Sequence, residues 1–156
     1  MQIDTSKSLA ELSGVDWDPA PAGASLIVQE RHSLHRKPLR DLSNADMQRL
    51  LDMGAHTDIL VPAALERSSA DTVPLFCAIL RTTEYDWRSH PEDLATLRDQ
   101  IYHVDNHLWQ FEADVESLVS RVEIWKLYAE LERSLSDAQP HAPPIREPAT
   151  GPRQVS

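Results

Sequence analysis

The chain has 156 residues and a formal net charge of −10 at neutral pH. Its apolar fraction of 41% and its four tryptophans exclude a wholly disordered chain, and its length fits one domain plus a tail. No window approaches about eighteen consecutive apolar residues, so the sequence predicts no membrane span, and the N-terminus predicts no secretory signal. Cys77 is the single cysteine and lies in an apolar run, which excludes an intramolecular disulfide. We therefore expect a cytoplasmic protein with a buried structural thiol.

The acidic residues are concentrated in the second half of the chain. From Glu84 to Arg133 there are twelve acidic residues against five basic ones. Such a surface repels phosphate backbones, which argues against direct binding of nucleic acid. It is complementary to a basic protein partner, although plain solubility explains an acidic surface equally well.

The first predicted elements are short helices with clear caps. Ser8 begins a capping box and predicts a short helix that ends near Gly14. The segment VDWDPAPAG predicts a loop, and ASLIVQERHSLHR follows as a helix or, given its Leu-Ile-Val run, as a strand. Ser43 caps a clearer helix over residues 44–53, which Gly54 ends in a left-handed conformation.

Two further helices are predicted before the acidic half of the chain. Because proline is tolerated only in a first turn, Pro62 within TDILVPAALERSS predicts a helix that starts near Ile59. The apolar run from Val73 to Arg81 predicts another short helix. TTEYDW then predicts a turn that leads to Pro91.

From Pro91 onward, apolar residues recur at spacings of three and four. This stripe predicts one long heptad-patterned helix from Glu92 to Leu135, with a second apolar stripe past Trp125. Such a helix would be roughly 65 Å long, more than the rest of the domain can cover. It would either break near Asp105-Asn106 and fold its far half back as a helical hairpin, or pair with a second copy. The unbroken phase of the stripe slightly favours a continuous helix and a homodimer.

The sequence thus predicts an all-α fold with three parts. A compact helical domain of short helices occupies residues 1–108, and the heptad-patterned helical extension occupies 109–135. A disordered proline-rich tail occupies 136–156 and holds five of the eleven prolines.

The residues provide few candidates for catalysis. The sequence has no Gly-rich phosphate loop, G-x-S-x-G elbow, C-x-x-C pair or H-E-x-x-H motif, and Cys77 in its apolar run is expected to be inert. His103 and His107 share a helix face with Asp99, a weak pattern for zinc that solvated side chains produce far more often. We therefore predict no enzyme activity, no metal and no cofactor.

One basic cluster lies between residues 31 and 40 and includes His32 and His35. It could meet phosphate, but it contains no aromatic residue on which bases would stack. A solvated helix end is the expected role of this cluster.

Two acidic segments are candidate partner-binding sites. Asp16 and Asp18 flank Trp17 on a predicted loop, where no pocket residues accompany the two carboxylates. Partner contact is therefore favoured over acid–base catalysis, and anchoring of the N-terminus by Trp17 is the more ordinary role. Glu84 and Asp86 form the second candidate, in the segment just before the next tryptophan.

Several segments together resemble the immunity proteins of bacterial contact-dependent growth inhibition and related polymorphic toxin systems. The matching run covers about Ser8 to Ile101 and contains SLAELSGVDW, then RKPLRDLSNADMQRLL, then ILVPAALE, and after an apolar helix Trp87. RKPL-x-DL followed by LVP-x-AL is its most specific part. The chain departs from the family where the family has a Gly-Asp-Leu-Leu stretch after an aromatic pair, because TVPLFCAIL stands there.

The resemblance implies an α-helical cytoplasmic protein that binds the C-terminal domain of a cognate toxin and occludes its active site. It implies protection of the producing cell and, since toxins of these systems are often nucleases with basic clefts, mimicry of the phosphate backbone by acidic residues. The departure at TVPLFCAIL leaves the identity of the toxin open. The alternative function is a structural or regulatory coiled-coil oligomerisation protein, in which the heptad helix is the functional part.

Overall fold

The computed structural model describes residues 3–68, 72–110 and 115–137, and all regular structure in this part of the chain is helical. The predicted all-α class is confirmed for these residues, where the one β-type contact is an isolated bridge between Ser8 and Pro38. None of the described helices is long and apolar enough to cross a membrane. A 3-10 turn spans Leu39–Asp41, and the α-helices are α1 (Leu9–Ser13), α2 (Leu26–Arg36), α3 (Asn44–Asp52), α4 (Thr57–Arg67), α5 (Val73–Arg81), α6 (Pro91–Trp109) and α7 (Val115–Asp137).

Capping boxes start α1 and α3. The Ser8 N–H donates to the Glu11 carboxylate at 2.7 Å, and the Glu11 N–H donates back to Ser8 Oγ at 3.3 Å. Ser43 and Asp46 exchange the corresponding bonds at 3.0 and 3.1 Å. Gly54 follows α3 at φ 65°, a left-handed conformation that glycine adopts without steric cost. The predicted starts and ends of these helices are confirmed.

The segment for which both helix and strand were predicted is a helix, α2. Ser25 caps it by accepting an N–H of the first turn at 3.5 Å. Its buried residues are Leu34 and His35, whereas Leu26 and Ile27 are 82% and 74% exposed. The Leu-Ile-Val run therefore lies at the surface and leaves apolar area uncovered there.

The start of α4 differs from the sequence prediction. α4 begins at Thr57 and not near Ile59, so Pro62 lies inside the helix and not in its first turn. A proline at this position leaves the Asp58 carbonyl without its helical N–H donor, and the exposure of Asp58 allows water to replace that donor. His56, at φ 43°, forms the sharp entry into the helix.

α5 is the centre of the core. It spans Val73–Arg81 as predicted, and every residue from Leu75 to Leu80 is buried. Cys77 is one of them, and burial raises the pKa of its thiol to about 11, so the thiol stays protonated at neutral pH. α3, α4 and α7 all pack on α5.

The slightly favoured continuous helix from Glu92 to Leu135 is wrong, and the alternative of a helical hairpin is confirmed, because α6 and α7 are separate helices that pack on each other. α6 continues through Asp105-Asn106, the expected break, and ends at Trp109. α7 then packs back along α6 and α5. Residues 111–114, between the two helices in sequence, lie outside the described residues.

Polar contacts fix the register of this hairpin. Asp105 Oδ1 accepts from Arg121 Nε at 2.8 Å and from Trp125 Nε1 at 2.9 Å. Nearer the start of α6, Arg98 Nε donates to Glu132 at 2.9 Å. The hydrogen bond from Arg121 lowers the pKa of Asp105, so this pair contributes to stability only while the carboxyl group is ionised.

α7 buries the second apolar stripe and leaves part of the first in water. Ile124 is fully buried and Leu131 nearly so, in the same core as α5, whereas Val122 is 64% exposed. Val115 and Leu118, also on the first stripe, lie outside the described side chains. Since the chain itself covers the second stripe, the uncovered length no longer argues for a homodimer, which stays a prediction.

The predicted tail falls almost wholly outside the described residues. Of residues 136–156, only Ser136 and Asp137 are described, and they form the last residues of α7. The division into 1–108 and 109–135 stays a prediction. In the described part of the chain, buried side chains from both stretches share one core.

Candidate partner-binding surface

The loop between α5 and α6, residues 82–90, holds Glu84 and Asp86 at the protein surface. Tyr85 and Trp87 alternate with them and are buried, with their ring centroids 4.8 Å apart in an edge-to-face contact. The two rings fix the loop on the core. The alternation places both acidic side chains on the solvent side.

Hydrogen bonds hold this loop in one conformation. The Asp86 carboxylate accepts from the Ser89 hydroxyl at 2.5 Å and from the Arg88 N–H at 3.2 Å. The bond from Ser89 lowers the pKa of Asp86, so this group is ionised at neutral pH. The Tyr85 hydroxyl donates to Asp93 at the start of α6, and burial together with this bond raises the pKa of Tyr85.

A groove of about 690 Å³ lies between this loop and α7, and we call it the main groove. Trp87 and Leu131 are buried in its wall, and Glu84, Asp86 and Glu130 are exposed along it. An apolar floor with a polar rim is the usual composition of a protein interface. The lining residues are Leu80, Arg81, Thr82, Thr83, Glu84, Tyr85, Asp86, Trp87, Arg88, Leu127, Glu130, Leu131, Ser134 and Leu135.

Two smaller clefts continue the main groove toward α2. One, of about 320 Å³, shares residues 81–84 with the main groove and adds residues 51–54 at the end of α3. The other, of about 220 Å³, shares Asp52 and Met53 with the first and reaches Ile27 of α2. The main groove and these two clefts share lining residues in series, and we call them together the clefted face.

Gly54 allows the Glu84 carboxylate to lie close to the end of α3. A Cβ at residue 54 would lie 3.0 Å from Glu84 Oε2, tighter than nine in ten real Cβ contacts, so the Glu84 side chain would have to shift by a few tenths of an ångström. Gly54 therefore ends α3 and also leaves room for an acidic side chain of the clefted face. The sequence indicated only the first of these roles.

Four arginines line the clefted face, and three of them bind acidic or carbonyl groups of the chain itself. The contacts are those of Arg81 with Asp52 at 3.4 Å and Glu123 at 3.1 Å, of Arg49 with Glu30, and of Arg88 with the carbonyls of Ser134 and Leu135. Glu84 and Glu130 form no ion pair within the described residues. The face therefore presents uncompensated negative charge along the main groove.

The predicted residues Asp16, Trp17 and Asp18 lie on the α1–α2 loop and do not line the main groove. Trp17 stacks on His35 with a centroid distance of 3.7 Å and an interplanar angle of 19°. The Arg31 guanidinium lies 5.4 Å from the Trp17 ring and lines the cleft at α2. Trp17 thus anchors its loop, and Asp16 and Asp18 on either side of it are exposed and line none of the three clefts.

The expected solvated position is wrong for His35, which is fully buried. Its Nδ1 lies 2.8 Å from the Arg31 carbonyl oxygen, and burial lowers its pKa. His32 Nδ1 lies 2.6 Å from the Asp18 carbonyl oxygen. The two histidines therefore hold the α1–α2 loop against α2 and are not available to phosphate as a pair.

Three buried side-chain nitrogens have no hydrogen-bond partner within the described residues. They are Nε1 of Trp17, Nε2 of His35 and Nε1 of Trp87. Buried polar groups are nearly always paired, so each such atom calls for an explanation. Trp87 is the one of the three residues that lines the main groove.

His103 and Asp99 form an exposed pair on α6. His103 Nε2 lies 3.6 Å from Asp99 Oδ2, and both side chains are at least 75% exposed. Across the described ranges no three His, Cys, Asp or Glu side chains are grouped to hold a metal ion. The pair therefore has the geometry of a solvated i, i+4 contact.

The clefted face has the composition of a surface that binds a macromolecule. Comparison of the chain with protein-family models, with curated proteins and with solved structures finds no match. The residues of these clefts and the resemblance of residues 8–101 to immunity proteins are therefore the two indications of function.

Proposed function

We propose that this chain is an immunity protein, which binds the C-terminal domain of a cognate bacterial toxin in the cytoplasm and blocks the toxin's active site. It acts by occupancy and catalyses no reaction. The observation that carries the proposal is the main groove, which has buried apolar side chains in its wall and exposed carboxylates along it, and which continues into two smaller clefts. The resemblance of residues 8–101 to immunity proteins gives this binding surface its biological role.

The chemistry of the clefted face suits a protein partner. At the α2 end, Ile27 and Met53 are exposed, and large exposed apolar side chains that lie together mark interaction sites. At the other end, Glu84 and Asp86 stand on a loop fixed by buried aromatic rings. A fixed surface loses little conformational entropy on binding, which favours high affinity.

The charge of this face favours a basic partner. A nuclease toxin carries a positively charged substrate cleft, and an acidic inhibitor that covers the cleft is electrostatically complementary to it. The same charge disfavours direct binding of nucleic acid by this chain. A nuclease is therefore the class of toxin that the surface fits best.

The alternative function, a coiled-coil oligomerisation protein, has less support. It depended on a long helix whose apolar stripe nothing in the chain could cover. The α6–α7 hairpin places Ile124 and Leu131 in the core of the same chain. The apolar area that remains exposed along α7 is correspondingly smaller.

Co-expression with the toxin domain of the neighbouring gene tests the proposal. We expect this chain to restore growth of cells that make the toxin and to co-purify with the toxin domain as an equimolar complex. Rescue by trace amounts of the chain, recovery of a chemically altered toxin, or the absence of any complex would contradict a stoichiometric inhibitor.

A further inference from the structure

We propose that the main groove receives one segment of the partner protein, in which an apolar side chain is flanked by lysine or arginine. This inference rests on the function proposed above and adds the chemistry of the bound segment. The groove has about 690 Å³, within the range of roughly 300–1,000 Å³ typical of ligand-binding clefts. It therefore has room for one anchoring side chain with its flanking backbone.

The floor of the groove selects an apolar anchor. Trp87 and Leu131 are buried within it, and Leu127 and Leu135 are half-buried along the α7 side. Filling such a site with an aliphatic or aromatic side chain removes apolar area of both partners from water. A polar side chain there would lose its hydrogen bonds to water without replacement.

The indole of Trp87 reports on occupancy of the groove. Trp87 lines the groove and is 3% exposed, and its Nε1 is itself buried and has no acceptor within the described residues. A bound segment would therefore change the surroundings of this indole by packing against the wall of the groove, without direct contact with Nε1.

The exposed carboxylates along the main groove favour basic residues on either side of the apolar anchor. Glu84, Asp86 and Glu130 are exposed along the groove. Arg81, the cation between the main groove and the next cleft, is bound by both Asp52 and Glu123. Arg88, the second arginine of the groove, donates to the carbonyls of Ser134 and Leu135. Lysine or arginine on either side of the anchor would therefore meet the carboxylates of Glu84 and Glu130, which form no ion pair within the described residues.

A peptide titration followed by NMR tests this inference on the full-length protein. The probes are Ac-Gly-Lys-Arg-Leu-Lys-Arg-Gly-NH₂ and two matched peptides, one with glutamate for every basic residue and one with serine for the leucine. The four tryptophans give four indole N–H signals, and a Trp87→Phe variant assigns that of Trp87. We expect the basic peptide to shift the Trp87 signal and leave that of Trp109, on α6, in place.

A pair of variants with the same charge change provides the control. Thr83→Arg adds a cation and bulk in the groove, whereas Thr96→Arg adds the same side chain at an exposed position of α6. We expect Thr83→Arg to weaken peptide binding about tenfold and Thr96→Arg to leave it unchanged. Equal binding of all three peptides, or equal affinities of the two variants, overturns the inference.

Two other occupants are distinguished in the same spectra. If Ile145→Ser with Arg146→Ser moves the Trp87 signal of the free protein, the occupant is the chain's own C-terminal segment and the inference is wrong. A Trp87 signal that moves with protein concentration alone identifies a second copy and has the same consequence.

Failure of this inference is separable from failure of the proposed function. If the toxin domain is neutralised equally well by the wild type and by Thr83→Arg, the toxin binds elsewhere and the inhibitor function stands. The opposite result is that no toxin is neutralised, but the basic peptide shifts the Trp87 indole signal and Thr83→Arg weakens binding of that peptide. In that case the groove is a peptide site and the inhibitor function is wrong.

Discussion

At the scale of single residues, the contact between Trp17 and His35 decides how the N-terminal loop is held. The imidazole is fully buried beneath the indole, and His56 and His32 lie against the same pair of rings. Burial lowers the pKa of His35, and the nearby His56, Arg31 and His32 add to the effect. The loop that carries Asp16 and Asp18 therefore depends on a neutral histidine.

The first prediction is that the free energy of unfolding decreases as the pH is lowered from about 7 to 5. An unfolded histidine has a pKa of about 6.5, and His35 has a lower one when folded, so the unfolded chain binds more protons in this window. The loss is at most about 1.4 kcal/mol per pH unit. Urea unfolding at several pH values measures it, and His35→Phe, which keeps a ring but cannot titrate, should have a flatter profile.

The unfolding measurements should be made above about pH 5, so that carboxyl groups do not contribute to the pH dependence. Asp105 and Glu132 have lowered pKa values, so their contributions are lost only as the pH falls below the usual carboxyl range of about 4. Parallel profiles of the wild type and His35→Phe between pH 5 and 7 would show that His35 is not the titrating group.

Gly54 and Gly14 allow a second prediction with an internal control. Both have φ near +65°, but a Cβ at Gly14 meets no atom within 4 Å, whereas one at Gly54 meets the Glu84 carboxylate. Alanine at either position should cost about 1 kcal/mol or more of stability because of the left-handed backbone. Only Gly54→Ala should also weaken toxin binding, which isothermal titration measures; equal affinities of the two variants would separate Glu84 from the interface.

At the scale of helices, local signals predicted the short elements well. The Ser8 and Ser43 caps, together with Gly14 and Gly54, define α1 and α3 through bonds that span only a few residues. Pro62 was misplaced because the entry into α4 depends on the left-handed backbone of His56. No pattern in the sequence predicts this left-handed backbone at His56.

The sequence predicted the α6–α7 hairpin only as the less favoured alternative, with its break at Asp105-Asn106. No glycine or proline stands between Pro91 and Pro140, and the apolar stripe keeps its phase up to the reversal. α7 carries two apolar stripes, and its packing on α5 determines which of them is buried. The second wall of the main groove comes from α7, so the groove could not be derived from Glu84 and Asp86 alone.

The choice of stripe on α7 gives the third prediction. Ile124→Ala should lower the free energy of unfolding by about 2–5 kcal/mol, because Ile124 is fully buried and its truncation leaves a cavity. Val122→Ala should change it by less than about 0.5 kcal/mol, because Val122 is 64% exposed. Chemical denaturation of both variants measures the difference. A larger loss for Val122 would mean that α7 packs through the other stripe.

At the scale of the whole molecule, fold and charge together produce the clefted face. The acidic residues are concentrated after residue 84 in the sequence, and the hairpin brings α7 against the α5–α6 loop. Acids distant in sequence, such as Glu84 and Glu130, thus line one groove. The net charge alone was compatible with a basic partner and equally with plain solubility, and it did not indicate where a partner would bind.

The fourth prediction is that toxin association is electrostatically steered through this face. Glu84→Lys with Asp86→Lys should slow association about tenfold at low salt, with a smaller effect on dissociation. Glu66→Lys with Asp99→Lys makes the same change in net charge at exposed positions that do not line the clefts. Stopped-flow mixing measures the rates. Identical rates for both double variants, or a rate independent of salt, would exclude steering by these residues.

If the chain neutralises a toxin by binding it and blocking its active site, a titration of toxin activity reveals the stoichiometry. A fixed amount of the isolated toxin domain is mixed with increasing amounts of the chain, and the residual activity is measured. We expect the residual toxin activity to fall linearly to zero at one equivalent of the chain. Unmodified, active toxin should be recovered after the complex is denatured and the toxin refolded. Complete loss of activity at a small fraction of an equivalent, or no loss at an excess, would contradict it.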